Sequence, residues 1–313
     1  MKSIAQSPSM PEFRGFGYKM AQIENNTHCN YKCWFCPNAY NTPAPRAVEC
    51  MDIELFRKIL LEIRSVYTAQ ELNEIHFSTY NEPNLDKTFK EKLQIMTDMG
   101  FEYEHVSNGS MITTELTNWL IEHPQAIKKF RLNIPTLDEK KWTDVTGASL
   151  SVMYRMYYQL MYLFQRVKKL NFPITVIVNG DGSEGHKEEF VKVLRKFQGV
   201  TEGITFEMTG LVNRAGRLED AECKNQKIRH GEVDWGETPV KCTVGYLDNL
   251  YFGIKGNVYY CTHDYRQDFS YGNINEAPLC ELLKPENYKK QKKEFAFEFC
   301  RKCEQASPHK QVF

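Results

Sequence analysis

The sequence predicts an α/β protein: a parallel sheet with helical crossovers, followed by a small β-hairpin-plus-helix unit. Three observations carry this. About six strand-then-helix patterns follow one another up to residue 213. A polar stretch then interrupts them, and short β segments with a turn replace them. Ten cysteines are present, and the grouped ones stand at the two ends of the chain.

The elements read in order. Residues 18–23 are strand-like, and the first cysteines follow directly. Residues 52–66 form a helix with Ile53, Phe56, Ile59, Leu60, Ile63 and Val66 on one face. Residues 72–78 are a strand. Residues 86–99 are a helix aligning Phe89, Leu93, Met96 and Met99, and 101–107 a strand ended by Asn108-Gly109. A short helix over 114–122, a strand over 130–134 and a long Tyr- and Met-rich helix over 150–170 follow. Strands over 173–178 and 203–208 flank a helix over 187–197. Alternation of this kind needs parallel strands with helical crossovers. Six units are too few for a complete eight-fold barrel. A doubly wound sheet and a partial barrel both fit. Beyond the polar stretch come β segments over 244–254 and 258–260, a turn at Lys255-Gly256-Asn257 and a helical pattern over 286–297. The expected division is an N-terminal extension (1–16), a main α/β domain (17–213), a linker (214–234) and a cysteine-bearing unit (235–313).

Composition narrows the function. Forty basic and 40 acidic residues cancel, so no net charge draws the chain to nucleic acid or anionic membrane. Hydrophobic residues at 42% suffice for a substantial core. No apolar stretch approaches the ~20 residues of a transmembrane helix, and the N-terminus lacks a signal-peptide core. The expected location is the cytoplasm, with no nucleic acid or membrane partner. In such a chain, grouped cysteines point to metal ligation or catalysis rather than disulfides.

Cys29, Cys33 and Cys36 read C-N-Y-K-C-W-F-C in the loop after the first strand. Three thiolates at this spacing suit three irons of a [4Fe–4S] cluster and leave the fourth open. Zinc closes a structural site with four ligands, so it would need His28 or a remote residue as well. Near the other end stand Cys242, Cys261 and the pair Cys300 and Cys303. Four thiolates suit either a second cluster or a zinc ribbon, although zinc ribbons usually show two C-x2-C pairs.

The first loop, with Phe35 before its last cysteine, resembles the signature of the radical S-adenosylmethionine (radical SAM) superfamily. The resemblance implies a partial (β/α)6 TIM-like barrel. It implies a cluster that binds S-adenosylmethionine (AdoMet) through its open iron and cleaves it to a 5′-deoxyadenosyl radical. Tyr80-Asn81-Glu82-Pro83 stands where the family often has Gly-Gly-Glu-Pro, without the two glycines, and Glu82 would take the AdoMet ammonium. Ser107 and Asn108 at the end of the third strand and Asn133 in the fourth match positions that contact ribose or carboxylate. Leu211 matches the adenine region. Eighteen residues separate Cys242 from Cys261, with Gly256 between. This spacing resembles the opening of a SPASM extension, shortened here to a twitch domain with one auxiliary [4Fe–4S] cluster on Cys242, Cys261, Cys300 and Cys303.

The resemblance implies an oxidoreductase that removes a hydrogen atom and then an electron from a small molecule such as an aminocyclitol or sugar. A flavodoxin or ferredoxin-like protein would supply electrons. The alternatives are a peptide maturase forming a cross-link or epimerised residue, an epimerase with Cys223 as hydrogen-atom donor, and a zinc-ribbon binding protein. Twenty-eight residues before Cys29 are too few for a leader-binding module, which counts against a peptide substrate. Cys50 lies near the first cysteine loop, and Cys280 sits in an apolar stretch expected to pack. Gly180-Asp181-Gly182-Ser183-Glu184-Gly185 spells G-x-G-x-x-G but follows the fifth strand. It therefore reads as an active-site loop rather than a dinucleotide fingerprint.

Overall fold

In the computed structural model the described residues are 17–39, 47–170, 172–212, 214–215, 235–236, 238, 240–243, 248–284, 286–287 and 300–308. Six parallel strands and their crossovers form the main body: β1 (Met20–Ile23), α1 (Ile53–Val66), β2 (Glu74–His76), α2 (Phe89–Asp98), β3 (Glu102–Ser107), α3 (Thr114–Glu122), β4 (Ile127–Asn133), α4 (Glu139–Thr146), α5 (Leu150–Val167), β5 (Ile174–Gly180), α6 (Glu184–Lys196) and β6 (Ile204–Gly210). Then come β7 (Val240–Cys242), β8 (Leu250–Phe252), β9 (Asn257–Tyr259), β10 (Ser270–Asn273), α7 (Leu279–Leu282) and β11 (Ala306–Pro308).

Strand order decides between the two sheets the sequence allowed. The order is β10-β9-β8-β1-β2-β3-β4-β5-β6, so the first six strands lie in sequence order. A doubly wound sheet reverses order at a switch point. Without a reversal, right-handed crossovers place every helix on the same face. That is the arrangement of a partial barrel. The helix-facing side is apolar: Phe77 stacks on Phe56 at 5.6 Å and meets Phe89 edge-on at 5.3 Å. The opposite face is polar. Gln22, His76 and Glu104 are in register across β1, β2 and β3. His76 Nε2 lies 2.6 Å from Glu74 Oε1, and Arg131 Nε 3.1 Å from Glu104 Oε1. The Arg131 guanidinium makes this an ion-pair network across the strands rather than a cation site.

The C-terminal hairpin continues the main sheet. β8 pairs parallel with β1 (Gln22↔Tyr251), and β9 and β10 extend it antiparallel. Leu250, Tyr251 and Phe252 are fully buried. The turn at Gly256 joins β8 to β9 as expected. β7 and β11 form a separate two-stranded ribbon.

Sequence and structure differ at several ends. Asp52 is the N-cap of α1, accepting from the Glu54 and Leu55 amides, so the helix begins one residue later than the pattern. The helix α2 begins at Phe89, three residues later than the pattern, and a short 3-10 turn at Pro83–Leu85, capped by the Glu82 side chain, precedes it. β4 begins three residues before the pattern and β6 ends two residues after it. The helix α4 was not foreseen. The expected helix over 286–297 falls almost wholly outside the described residues, as do Cys223, the N-terminal extension and most of the linker. No helix among the described residues is long and apolar enough to cross a membrane.

Candidate metal centres

The first cysteine loop leaves β1 and is held from three sides. The Lys32 and Trp34 amides donate to the carbonyls of Thr146 (2.7 Å) and Val145 (3.3 Å), the last carbonyls of α4. These acceptors have no partner within their own helix. On a second side the Glu82 amide donates to His28 O at 2.9 Å, and Asn26 Nδ2 donates to Glu82 O at 2.9 Å. On the third, Asn30 Nδ2 donates to Ser110 Oγ at 2.8 Å. The loop closes on itself where the Cys36 amide donates to Cys33 O at 2.9 Å.

Gly147 makes the α4 contact possible. It caps the helix in the left-handed region, at φ 67°, and a Cβ there would stand 2.8 Å from Lys32 Cβ. Gly147→Ala is expected to cost about 1–2 kcal/mol from the left-handed backbone alone, and to push the loop away as well. Thermal melting together with iron uptake by the first site checks this. Unchanged uptake would show that α4 does not seat the loop. The signal for α4 was present in the sequence: Asp138 as N-cap and Gly147 as C-cap bracket a run with buried Trp142, whose ring meets Tyr31 edge-on at 5.5 Å.

The three sulfurs share one electrostatic neighbourhood: each of the three pairs raises a partner's pKa. Burial pushes Cys29 up to about 12, and the Glu82 carboxylate adds to it. Burial also raises Cys33 and Cys36; at Cys36 the Asn38 amide and the charges of Arg214 and Lys32 oppose it. Three half-buried thiols crowded together disfavour the bare thiolates that metal binding requires. A bound cationic iron cluster relieves that cost, and soft sulfur donors select iron–sulfur or zinc sites. The donor set fits.

Tyr80, Asn81, Glu82, Ser107 and Asn108 are brought to this loop. Asn108 Nδ2 reaches Cys29 Sγ at 3.5 Å and donates to Asn30 Oδ1 at 3.0 Å. Glu82 lies beside Cys29 but is only 1% exposed. Its Oε1 accepts from Asn84 Nδ2 (2.7 Å), Ser107 Oγ (2.8 Å) and Asn84 N (3.2 Å), and its Oε2 from Asn108 N (2.7 Å). Burial raises its pKa and these four bonds oppose the rise. Asn81 is also turned inward, donating to Asn25 Oδ1 at 2.9 Å. Phe35 packs edge-on against Trp34 at 5.5 Å. Asn133 and Leu211 stand elsewhere. Asn133 ends β4, three strands from β1, and accepts from Asn179 Nδ2 at 3.4 Å. Leu211 follows β6 and donates to Gly180 O at 3.0 Å. Gly180 lies against the His186 ring: a Cβ there would come within 2.4 Å. The G-x-G-x-x-G stretch is thus a turn closed by a histidine. Cys50 is exposed and bridges Asn26, while Cys280 lies half-buried on α7.

The second group is assembled from three places. Cys242 ends β7 and Cys261 follows β9 by two residues. Cys300 and Cys303 bound a 3-10 turn whose Cys303 amide donates to Cys300 O at 3.0 Å. Pairing of Ala306 with Cys242 in the β7–β11 ribbon brings the two stretches together. All six pairs among the four sulfurs act on one another. Burial raises Cys261 well above the usual thiol range, Cys300 to about 12 and Cys303 to about 11. The four sulfurs thus share one electrostatic neighbourhood, as the first three do.

The segment after Cys261 also covers the first loop. The Tyr265 hydroxyl donates to Asn38 Oδ1 at 3.2 Å, and its ring meets Tyr80 edge-on at 5.1 Å. Gln267 Nε2 donates to Glu24 Oε2 at 2.9 Å. His263 in this segment is fully buried and is held neutral, its pKa lowered to about 3 by burial and then by Arg214. Neither His263 nor Arg214 was marked by the sequence, because each is a lone residue in an irregular stretch.

Residues 242–304 match the SPASM family, described as an iron–sulfur cluster-binding domain. Comparison with curated protein sequences finds no match. Among solved structures, BtrN in complex with AdoMet and 2-DOIA shares the fold with a TM-score of 0.55 and 19% identity, over 93% of each chain. Streptococcus suis SuiB bound to precursor peptide SuiA gives 0.60 and 11% identity, over 88% of this chain and 66% of that one. Native anSMEcpe with bound AdoMet gives 0.59 and 14% identity, over 91% and 86%.

Proposed function

We propose that this chain, which has the fold of radical SAM enzymes and carries a SPASM-type iron–sulfur domain, is a radical SAM oxidoreductase acting on a small polar molecule. The observation that carries the reading is the pair of sulfur groups: three thiols on one loop and four closing a second site. With the cluster and AdoMet bound, the first site supplies a 5′-deoxyadenosyl radical able to take a hydrogen atom from the substrate. Cys29, Cys33 and Cys36 would hold that cluster and supply three of its ligands. Asn108 orients Cys29, while the carbonyls ending α4 fix the loop. Glu82, held by Ser107 and Asn108 beside Cys29, would offer its carboxylate to the AdoMet ammonium by giving up one of those bonds. At the second site Cys242, Cys261, Cys300 and Cys303 would supply all four ligands of an auxiliary cluster. Substrate ligation there is excluded on this reading, and electron acceptance is left, which gives a net two-electron oxidation. The likeness to BtrN over 93% of both chains supports a substrate of the aminocyclitol or sugar class.

The test is mass spectrometry of the anaerobically reconstituted protein with AdoMet, dithionite and a panel of aminocyclitols and sugars. A product lighter by two hydrogens is expected, with 5′-deoxyadenosine formed alongside. Absence of 5′-deoxyadenosine under any condition overturns the reading. A second reading is peptide maturation, favoured by the TM-score of 0.60 with peptide-bound SuiB. It is distinguished by turnover of peptides and not of small polyols.

A further inference from the structure

A polar chain runs between the two sulfur groups. The His263 backbone N–H donates to Cys261 Sγ at 3.4 Å, and Nδ1 of its ring lies 3.8 Å from Cys303 Sγ. On the other side of the ring, Nε2 lies 3.5 Å from Arg214 Nη1. A guanidinium only donates. Nε2 is therefore the acceptor, and Nδ1 carries the proton that faces Cys303.

Arg214 is placed between the sites. Its guanidinium carbon stands 5.7 Å from the centre of the Tyr80 ring, which borders the first loop. Its buried Nε has no acceptor among the described residues. Its charge reaches the Cys36 sulfur and favours the thiolate there. One cation thus lies beside Tyr80 at the edge of the first group, where its charge acts on Cys36, and against His263, which faces a sulfur of the second.

We propose that Arg214 and His263 are positioning residues that couple the two iron–sulfur sites electrostatically, His263 tuning the auxiliary site through Cys303 and Arg214 tuning both. The inference rests on the iron–sulfur reading above. Hydrogen bonds to ligand sulfurs and nearby positive charge stabilise the reduced, more negative form, so both raise the reduction potential. A raised auxiliary potential favours acceptance of an electron from a substrate radical.

The test is an anaerobic redox titration of the full chain, followed by electron paramagnetic resonance with iron counted beforehand. In His263→Ala the auxiliary midpoint is expected to move to more negative potential, with the first site unmoved. In Arg214→Gln both midpoints move the same way. His263→Asn, whose amide N–H can face the sulfur, recovers part of the shift, and Arg214→Lys keeps part of the effect on the first site. A fully loaded His263→Ala with an unmoved auxiliary midpoint overturns the proposal. So does an Arg214→Gln that moves one site alone. If His263→Ala loses iron, His263→Phe keeps the ring without the donor and decides the same question. Wild-type protein that binds no second cluster instead defeats the underlying reading, and the iron count reports that separately.

Discussion

Cys33→Ala is expected to remove about four of about eight irons per chain and to take AdoMet cleavage below detection. Cys33 lies between the other two thiols of its loop in sequence and acts on both. Its removal leaves two donors for a cluster that already lacks a fourth. The remaining irons stay because the second site is built elsewhere: on the β7–β11 ribbon, the end of the β8–β9 hairpin and the turn at Cys300. Cys303→Ala is the reciprocal case. It should remove the other half of the iron and leave 5′-deoxyadenosine formation measurable. Iron counting, visible absorbance and chromatography of the nucleoside product check both. Equal iron in Cys33→Ala and wild type would show that the loop holds no cluster. Zinc in place of iron would redirect the whole reading.

The parts of the site legible in the sequence were those whose chemistry is local. The three-cysteine loop and the C-R-K-C pair state their donor sets by spacing alone. The first six strands were readable because apolar residues repeat at fixed intervals within each element. What escaped notice depends on distant partners. β8 reads as a hairpin strand, but nothing in Leu250–Phe252 says that its neighbour is β1, more than two hundred residues earlier in the chain. Glu82 invites a role as an exposed ligand. Its inward seat comes from Ser107 and Asn108 at the end of another strand. The helix α4 carries its signal in its caps alone, because only Trp142 and Thr146 of its eight residues are buried, too few for a periodic pattern. Its value lies at its C-terminal carbonyls, which hold the cysteine loop. Arg214 and His263 form no motif, and only the fold brings them together.

Lys92→Met is expected to lower stability by about 3–5 kcal/mol, the cost of leaving a buried charge without its partner. Lys92 Nζ lies 2.6 Å from Asp86 Oδ2, and both side chains are essentially inaccessible, at 0% and 1%. Lys92 Nζ also donates to Met51 O at 2.5 Å. Asp86 in turn accepts from Asn25 Nδ2 at 3.2 Å, Thr88 Oγ1 at 2.7 Å and Thr88 N at 2.9 Å. The pair therefore ties α2 to the chain just before α1 and to the stretch after β1. Asn25 links it to the Pro83 carbonyl at 3.0 Å, next to Glu82. Methionine fills the space of the lysine stem, so the loss reports charge rather than a cavity. Adding Asp86→Asn removes the stranded carboxylate and should restore much of the stability, a non-additivity expected for residues in contact. Thermal melting of the two single variants and the double variant measures this. Lys92→Met should also weaken iron uptake by the first site, because the turn bearing Glu82 loses its anchor, while the second site loads normally. A single variant that melts with wild type would show that the ion pair does not hold the turn. A double variant no better than the single would assign the loss to packing.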